Sequence, residues 1–369
     1  MMSTPAAAIP GFSDYDFQRR ENWRWTPSAA LQLQRPRQLA DYEFSLADGI
    51  GDDFGPRPEL EALLAQLPEA PLLRLNLAEL APALQIQVPE DFASDEVNIL
   101  QLSAAAEHCQ LGRIYVDVGA RSRSAFWFQF TAAPASTALP VVVLRLAPEA
   151  ELEAVFWLDG AEASAQSVYV YVEQADGSTA RLNVAQLGSG ALKRFDLYHN
   201  APGRAVEFKL GGVQWASGEE LVDIHANVRH LNRDGTSEQQ VRGVIDGRGF
   251  GQFDGMIYVA PGAQQTDGRQ DGRYILLSET AKSMSVPRLE IYADDVQCAH
   301  GSTAGYLDGE ALFYLQSRGI DLATARKILL LSFLHEGIIT DREALLLNVK
   351  ATVNALWGYE DWEDDRELA

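Results

Sequence analysis

From about residue 96 to residue 300, short runs alternate apolar and polar positions. Arg113-Ile114-Tyr115-Val116-Asp117-Val118, Phe126-Trp127-Phe128-Gln129-Phe130, Val168-Tyr169-Val170-Tyr171-Val172 and Ala205-Val206-Glu207-Phe208-Lys209-Leu210 are examples. Successive side chains of a strand point to opposite faces. Period-two patterning in β-branched and aromatic residues therefore predicts strands. Asp176-Gly177, Asp234-Gly235 and Asp246-Gly247 supply turns between them. Strands so regularly spaced suit a sandwich, a barrel or a β-helix. The pattern alone does not choose, and no strict internal repeat is visible.

The two ends read differently. Residues 1–95 are rich in Ala, Leu, Pro and acids, and Leu60 to Leu67 predicts one short helix. After residue 305 the period becomes helical. Asp308 caps a helix through Arg318, stopped by Gly319, and Asp321 caps a second from Leu322 to about His335. Thr340-Asp341-Arg342-Glu343 fits a capping box for a third, ending near Trp357. The acidic tail after Tyr359 reads as solvated. Three units follow: a mixed or helical region over 1–95, a β core over 96–305 and a helical subdomain over 306–369.

Composition narrows the function. Net charge is −22, from 52 acidic and 30 basic residues. A nucleic-acid binder needs a basic face, and an anionic membrane surface would repel this chain. The hydrophobic fraction of 47% suffices for a sizeable core. Cys109 and Cys298 are the only cysteines, so a reducing compartment is the better fit and the chain reads as cytoplasmic. No apolar run approaches the roughly 20 residues of a spanning helix.

Cys298-Ala299-His300 carries the most specific chemistry. In an extended backbone the thiol and imidazole share one face. Two donors do not close a metal site, so the pair is either incidental or completed from outside. In Leu289-Glu290-Ile291-Tyr292-Ala293-Asp294 the odd positions are apolar. If that register persists, Glu290, Tyr292, Asp294, Cys298 and His300 face outward. The alternative is a buried cysteine with a hydrogen-bonded histidine. Cys109 reads as a small core residue. His108, His199, His225, His230 and His335 read as structural or surface residues. Gly247-Arg248-Gly249-Phe250-Gly251 has neither phosphate-loop spacing nor a following Gly-Lys-Ser/Thr, so its glycines serve turns.

The stretch Pro287 to Thr303 fits the pattern P-x-L-E-I-x-A-D-D-V-x-C-x-H-G-[AS]-T. It continues as Gly305-Tyr306-Leu307-Asp308 and Ala311-Leu312-Phe313-Tyr314-Leu315. Gly251-Gln252-Phe253-Asp254-Gly255-Met256-Ile257 and Glu21-Asn22-Trp23-Arg24-Trp25-Thr26 add shorter matches. Together these resemble the SufB/SufD family of iron–sulfur cluster assembly proteins, with Cys-x-His favouring its SufD branch. Departures at Gly268 and Tyr274-Ile275 are expected to lie in the β core, away from the Cys-x-His pair.

The resemblance implies a mainly β protein: a right-handed parallel β-helix flanked by N- and C-terminal helical subdomains. It implies a non-catalytic scaffold, pairing with SufB and binding the ATPase SufC. Cys298 and His300 would lie where it meets SufB, around iron or a nascent cluster held only transiently. No cofactor is expected to stay on the chain alone. Leu322, Ile328, Leu329 and Phe333 on the second C-terminal helix are the expected SufC contacts. Deleting 306–369 is expected to leave a folded core that has lost SufC. A homodimer handling iron, a SufB-type scaffold and a β-helix enzyme acting on polysaccharides remain as alternatives.

Overall fold

The computed structural model describes residues 31, 33, 35–65, 67, 71–79, 82–340 and 342–356. The Glu21–Thr26 segment, Asp341, Trp357 and the acidic tail lie outside the described residues. Strands β1 (Arg37–Leu39), β2 (Tyr42–Ser45) and β3 (Gly51–Gly55) come first, then helices α1 (Pro58–Leu64) and α2 (Pro71–Ala78). The core begins with β4 (Ala83–Val88), β5 (Ala93–Ala104), β6 (Cys109–Val118), β7 (Arg123–Ala132), β8 (Thr137–Leu146) and β9 (Glu151–Gly160). It continues with β10 (Ala165–Gln174), β11 (Thr179–Gly188), β12 (Leu192–Ala201), β13 (Glu207–Ala216) and β14 (Leu221–His230). It ends with β15 (Thr236–Ile245), β16 (Phe250–Val259), β17 (Asp267–Leu276), β18 (Lys282–Ile291) and β19 (Gln297–Gly305). Helices α3 (Gly309–Ser317), α4 (Leu322–His335) and α5 (Glu343–Leu356) follow.

Even-numbered strands from β4 to β18 form one sheet and odd-numbered strands from β5 to β19 the other. Each coil gives one parallel strand to each sheet, so the chain winds a β-solenoid. The inner faces interlock between the sheets. Ile114, Val142, Val170 and Leu197 stand in one register across four coils. Phe128 stacks on Phe156 with ring centres 4.9 Å apart. The first end is closed: β3 pairs antiparallel with β4, and β2 antiparallel with β5.

The structure corrects two readings of the sequence. A repeat does exist: β6, β8 and β10 start at Cys109, Thr137 and Ala165, a 28-residue offset that their cross-strand contacts keep. It is conformational rather than compositional. Arg121, Ala135, Glu149, Ala163 and Gly177 each hold the left-handed turn position, with φ between 53° and 67°. A non-glycine residue there costs about 1 kcal/mol. Turn-to-turn bonds such as Arg121 N–H to Pro148 carbonyl (3.0 Å) help offset it. The left-handed position thus tolerates many residue types, which hides the period. Among the described residues of the N-terminal region, α1 matches the expected short helix, but a second helix, α2, and strands β1 to β4 accompany it. The nearly continuous apolar run Leu72-Leu73-Arg74-Leu75 conceals α2, whose Leu72 and Leu75 and, separately, Leu73 enter two clusters on the outer face. Buried Arg113 fastens both helices, donating to Asn76 Oδ1 (2.8 Å) and to Glu61 Oε1 (3.0 Å).

Helix α4 covers part of the other sheet. Leu330, Leu331 and Leu334 pack on Val155, Trp157, Val213 and Val244. Burying each leucine is worth about 2 kcal/mol. Deleting 306–369 would expose this face, so point substitutions are the sounder probe of partner binding.

Two histidines make the core acid-sensitive. His199 Nε2–H donates to Gln174 Oε1 (2.8 Å) and its ring stacks on Phe208, and His230 meets Ser237 Oγ (2.8 Å). Burial pushes His230 down to about 4 from an ordinary 6.5, and holds His199 well below it, with His230 adding to that. Both are neutral when folded. Their stability contribution is complete above the unfolded pKa and is lost as pH falls towards the folded one. For His230 the expected loss by about pH 5 is roughly 2 kcal/mol, and His199 acts in the same direction. Urea unfolding at about pH 7 and pH 5 checks this, and His230→Gln should shrink the difference.

Candidate functional site

The second end of the solenoid is open. Strand β18 ends one sheet and β19 the other, and among the described residues neither has a further neighbour. Such edges present unpaired N–H and C=O groups to a partner chain. Cys298 and His300 lie here, but not as the alternation predicted. On β17, Tyr274 joins the core and Gln270 is buried, so even positions point inward. Cys298 stands opposite Gly268 and His300 opposite Gln270, which places both in the inward-facing register. The turn between Ile291 and Gln297 resets the alternation. Glu290 and Tyr292 do keep the outward phase, Tyr292 contacting Tyr258 at 5.6 Å. His300 is exposed because no coil covers it. Cys298 is half-buried against the cluster of Ile257, Val259, Ala263 and Leu289.

This placement sets the thiol chemistry. Burial raises the Cys298 pKa and Asp267 adds to it, while a hydrogen bond from the Gly268 backbone opposes them. Near neutral pH the group is a thiol, so a metal or cation from outside must draw off the proton. Cys109 is more deeply buried and is pushed up to about 11. Among the described residues no group of three or more His, Cys, Asp and Glu is arranged to hold a metal ion. Cys298 and His300 thus offer two donors without a clustered third among the described residues. A depression of about 250 Å³ adjoins His300, lined also by Glu238, Arg269 and Asp271.

Gly268 is not remote from this pair, contrary to the sequence expectation. A Cβ there would lie 3.5 Å from Cys298 Sγ and 3.2 Å from Ile257. Gly268→Ala should desolvate the thiol further and raise its pKa. Alkylation of Cys298 at fixed pH is expected to slow about threefold or more, measured by mass spectrometry. The glycines of Gly251–Ile257 have a packing reason. Added side-chain atoms would strike Ile245 and Tyr274 at Gly251, and Phe253 at Gly255.

Helices α3 and α4 follow the predicted caps, whereas α5 starts at Glu343 and Thr340 Oγ1 accepts from Arg342 N–H (3.1 Å) without the reciprocal Glu343 bond of a capping box among the described residues. Asp308 accepts from Glu310 N–H (2.8 Å) and Asp321 from Ala323 N–H (2.9 Å). Leu322 is exposed, Ile328 and Leu329 are half-buried, and Phe333 packs against the sheet cluster. The larger apolar surface lies on α3, which has no buried residue. Phe313 is 73% exposed and Tyr314 57%. With Leu329 they line a groove of about 800 Å³. Helical patterning in Ala311-Leu312-Phe313-Tyr314-Leu315 signals an apolar helix, but not which residues lack core contacts.

Among the described residues, the geometry defines a β-solenoid protein closed at one end and open at the other, with an apolar, largely exposed helix following its last strand. Residues 101–333 match the family model described as SUF system FeS cluster assembly, SufBD core domain. The chain belongs to this family. It is similar to iron-sulfur cluster assembly protein SufD of Escherichia coli (strain K12), 32% identical over 162 residues covering 44% of this chain and 38% of that protein. It also resembles chloroplastic protein ABCI7 of Arabidopsis thaliana, 32% identical over 200 residues covering 54% and 42%. Iron-sulfur cluster assembly protein SufD of Bacillus subtilis (strain 168) is 29% identical over 117 residues, covering 32% and 27%. In each case the matched stretch is less than half of the relative's length. No helix among the described residues is long and apolar enough to cross a membrane.

Proposed function

We propose that this chain is a non-catalytic, SufD-type scaffold of the Suf system. Its open coil pairs with a SufB-like subunit, and its C-terminal helices hold a SufC-like ATPase. The observation that carries this reading is the asymmetry of the solenoid. Antiparallel β2 and β3 close one end, while β18 and β19 leave the other unpaired with a cysteine and a histidine on its inner face. A second solenoid docked there would bury both residues and complete their ligand set. Iron or a nascent cluster is then cargo at a shared site, held by imidazole and thiolate from this side. A divided site releases its cargo when the subunits part.

Amide hydrogen exchange with and without the SufB-like subunit tests the pairing. Exchange across β18 and β19 is expected to slow about tenfold or more on complex formation. Protection confined to the β2–β3 end, or none, would overturn it.

A further inference from the structure

We infer that Arg242 is a positioning residue linking the C-terminal helices to the coil that carries Cys298 and His300; the inference rests on the function proposed above. Arg242 stands on β15 and is 3% exposed. Its guanidinium joins two carboxylates from separate parts of the chain. Nε lies 3.2 Å from Glu336 Oε2, at the C-terminal cap of α4. Nη2 lies 2.9 Å from Asp271 Oδ2 on β17. Asp271 stands directly opposite Gly301, the residue after His300. Its Oδ1 is 3.2 Å from where a Cβ on Gly301 would sit. Since β19 pairs only with β17 among the described residues, Asp271 is positioned to set where the His300 backbone lies.

Stability alone does not account for this arginine. Asp271 is 31% exposed and Glu336 52%, so water can solvate either carboxylate without Arg242. A buried ion pair is in any case a weak stabiliser, often replaceable by apolar volume. The planar guanidinium instead fixes two carboxylates relative to one another. The backbone reinforces the link. A Cβ on Gly337 would meet the Gly212 carbonyl on β13 at 2.5 Å and the Arg242 side chain on β15 at 3.2 Å, so the loop after α4 lies flat across both strands. A partner that displaces α4 therefore pulls on β17 and re-aims His300. The element that would move is the terminal coil, which among the described residues has a neighbouring coil on one side only.

The test uses the full chain in two arms. In the first, Leu331→Ala loosens α4 in the isolated chain, and NMR follows the ring signals of His300. Leu331→Ala is expected to shift those signals, and the shift should vanish in an Arg242→Met background. An equal shift in both backgrounds would overturn the link. Glu336→Gln, which alters only an exposed carboxylate, should reproduce the loss if Arg242→Met folds poorly. In the second arm, maleimide labelling of Cys298 is timed with and without the SufC-like ATPase; buried Cys109 stays silent. Labelling of the unaltered chain should change about threefold or more on binding. Arg242→Met and Arg242→Lys should keep the affinity within about twofold and lose the labelling change. A response unchanged in both variants rejects Arg242 as the link. An ATPase that never binds the unaltered chain removes the functional reading instead, and the first arm still decides the ionic connection.

Discussion

His300→Ala is expected to lower iron–sulfur cluster assembly in cells about tenfold or more, while changing thermal unfolding by no more than about 2 °C. His300 is exposed on the edge strand β19, so truncating its side chain removes little packing from the core. On the function proposed above, imidazole would serve there as ligand and proton acceptor once the second subunit docks. Cys298→Ala should be no more damaging to assembly, since a thiolate from the SufB-like partner can stand in. It should cost more stability, about 1 kcal/mol, because Cys298 packs in the small cluster around Ile257 and Leu289. Complementation of a strain lacking the gene, run beside calorimetry, separates the two roles. Normal complementation by the double variant would remove the pair from the mechanism. A large fall in melting temperature for His300→Ala would return that residue to a structural role.

Phe313→Asp should weaken binding of the SufC-like ATPase by about 100-fold, with Tyr314→Asp next and Leu322→Asp smaller. An aromatic anchor buried at an interface is worth about 2–4 kcal/mol, and a carboxylate in its place must be desolvated without a partner. The fold should hold, since α3 buries no residue and Phe313 is largely in solvent. Phe333→Asp would be a poor probe, because that ring also packs on the sheet and its loss confuses folding with binding. Titration calorimetry with circular dichroism on each variant gives both readouts. Unchanged affinity for Phe313→Asp would move the docking face elsewhere on the helical subdomain.

Local chemistry was legible from residue order. Period-two runs marked most core strands because a strand with one face in the interior must alternate. Asp308 and Asp321 marked their helix starts because a carboxylate satisfies amides that the first turn leaves orphaned. The unusual Cys298-Ala299-His300 pairing and the long pattern around it carry the family signature in residue order alone. Tertiary structure decided what depends on distant parts of the chain. Solenoid winding rests on parallel register between strands a full coil apart, and its turn conformation accepts arginine, alanine, glutamate or glycine alike. The inward phase of Cys298 and His300 depends on how the turn after Ile291 spends its residues, which alternation cannot count across. The exposure of Phe313 and the joining of Glu336 to Asp271 through Arg242 depend on which surfaces the fold covers and which it leaves open. An apolar pattern says only that a face will be buried; packing determines whether this chain or another buries it.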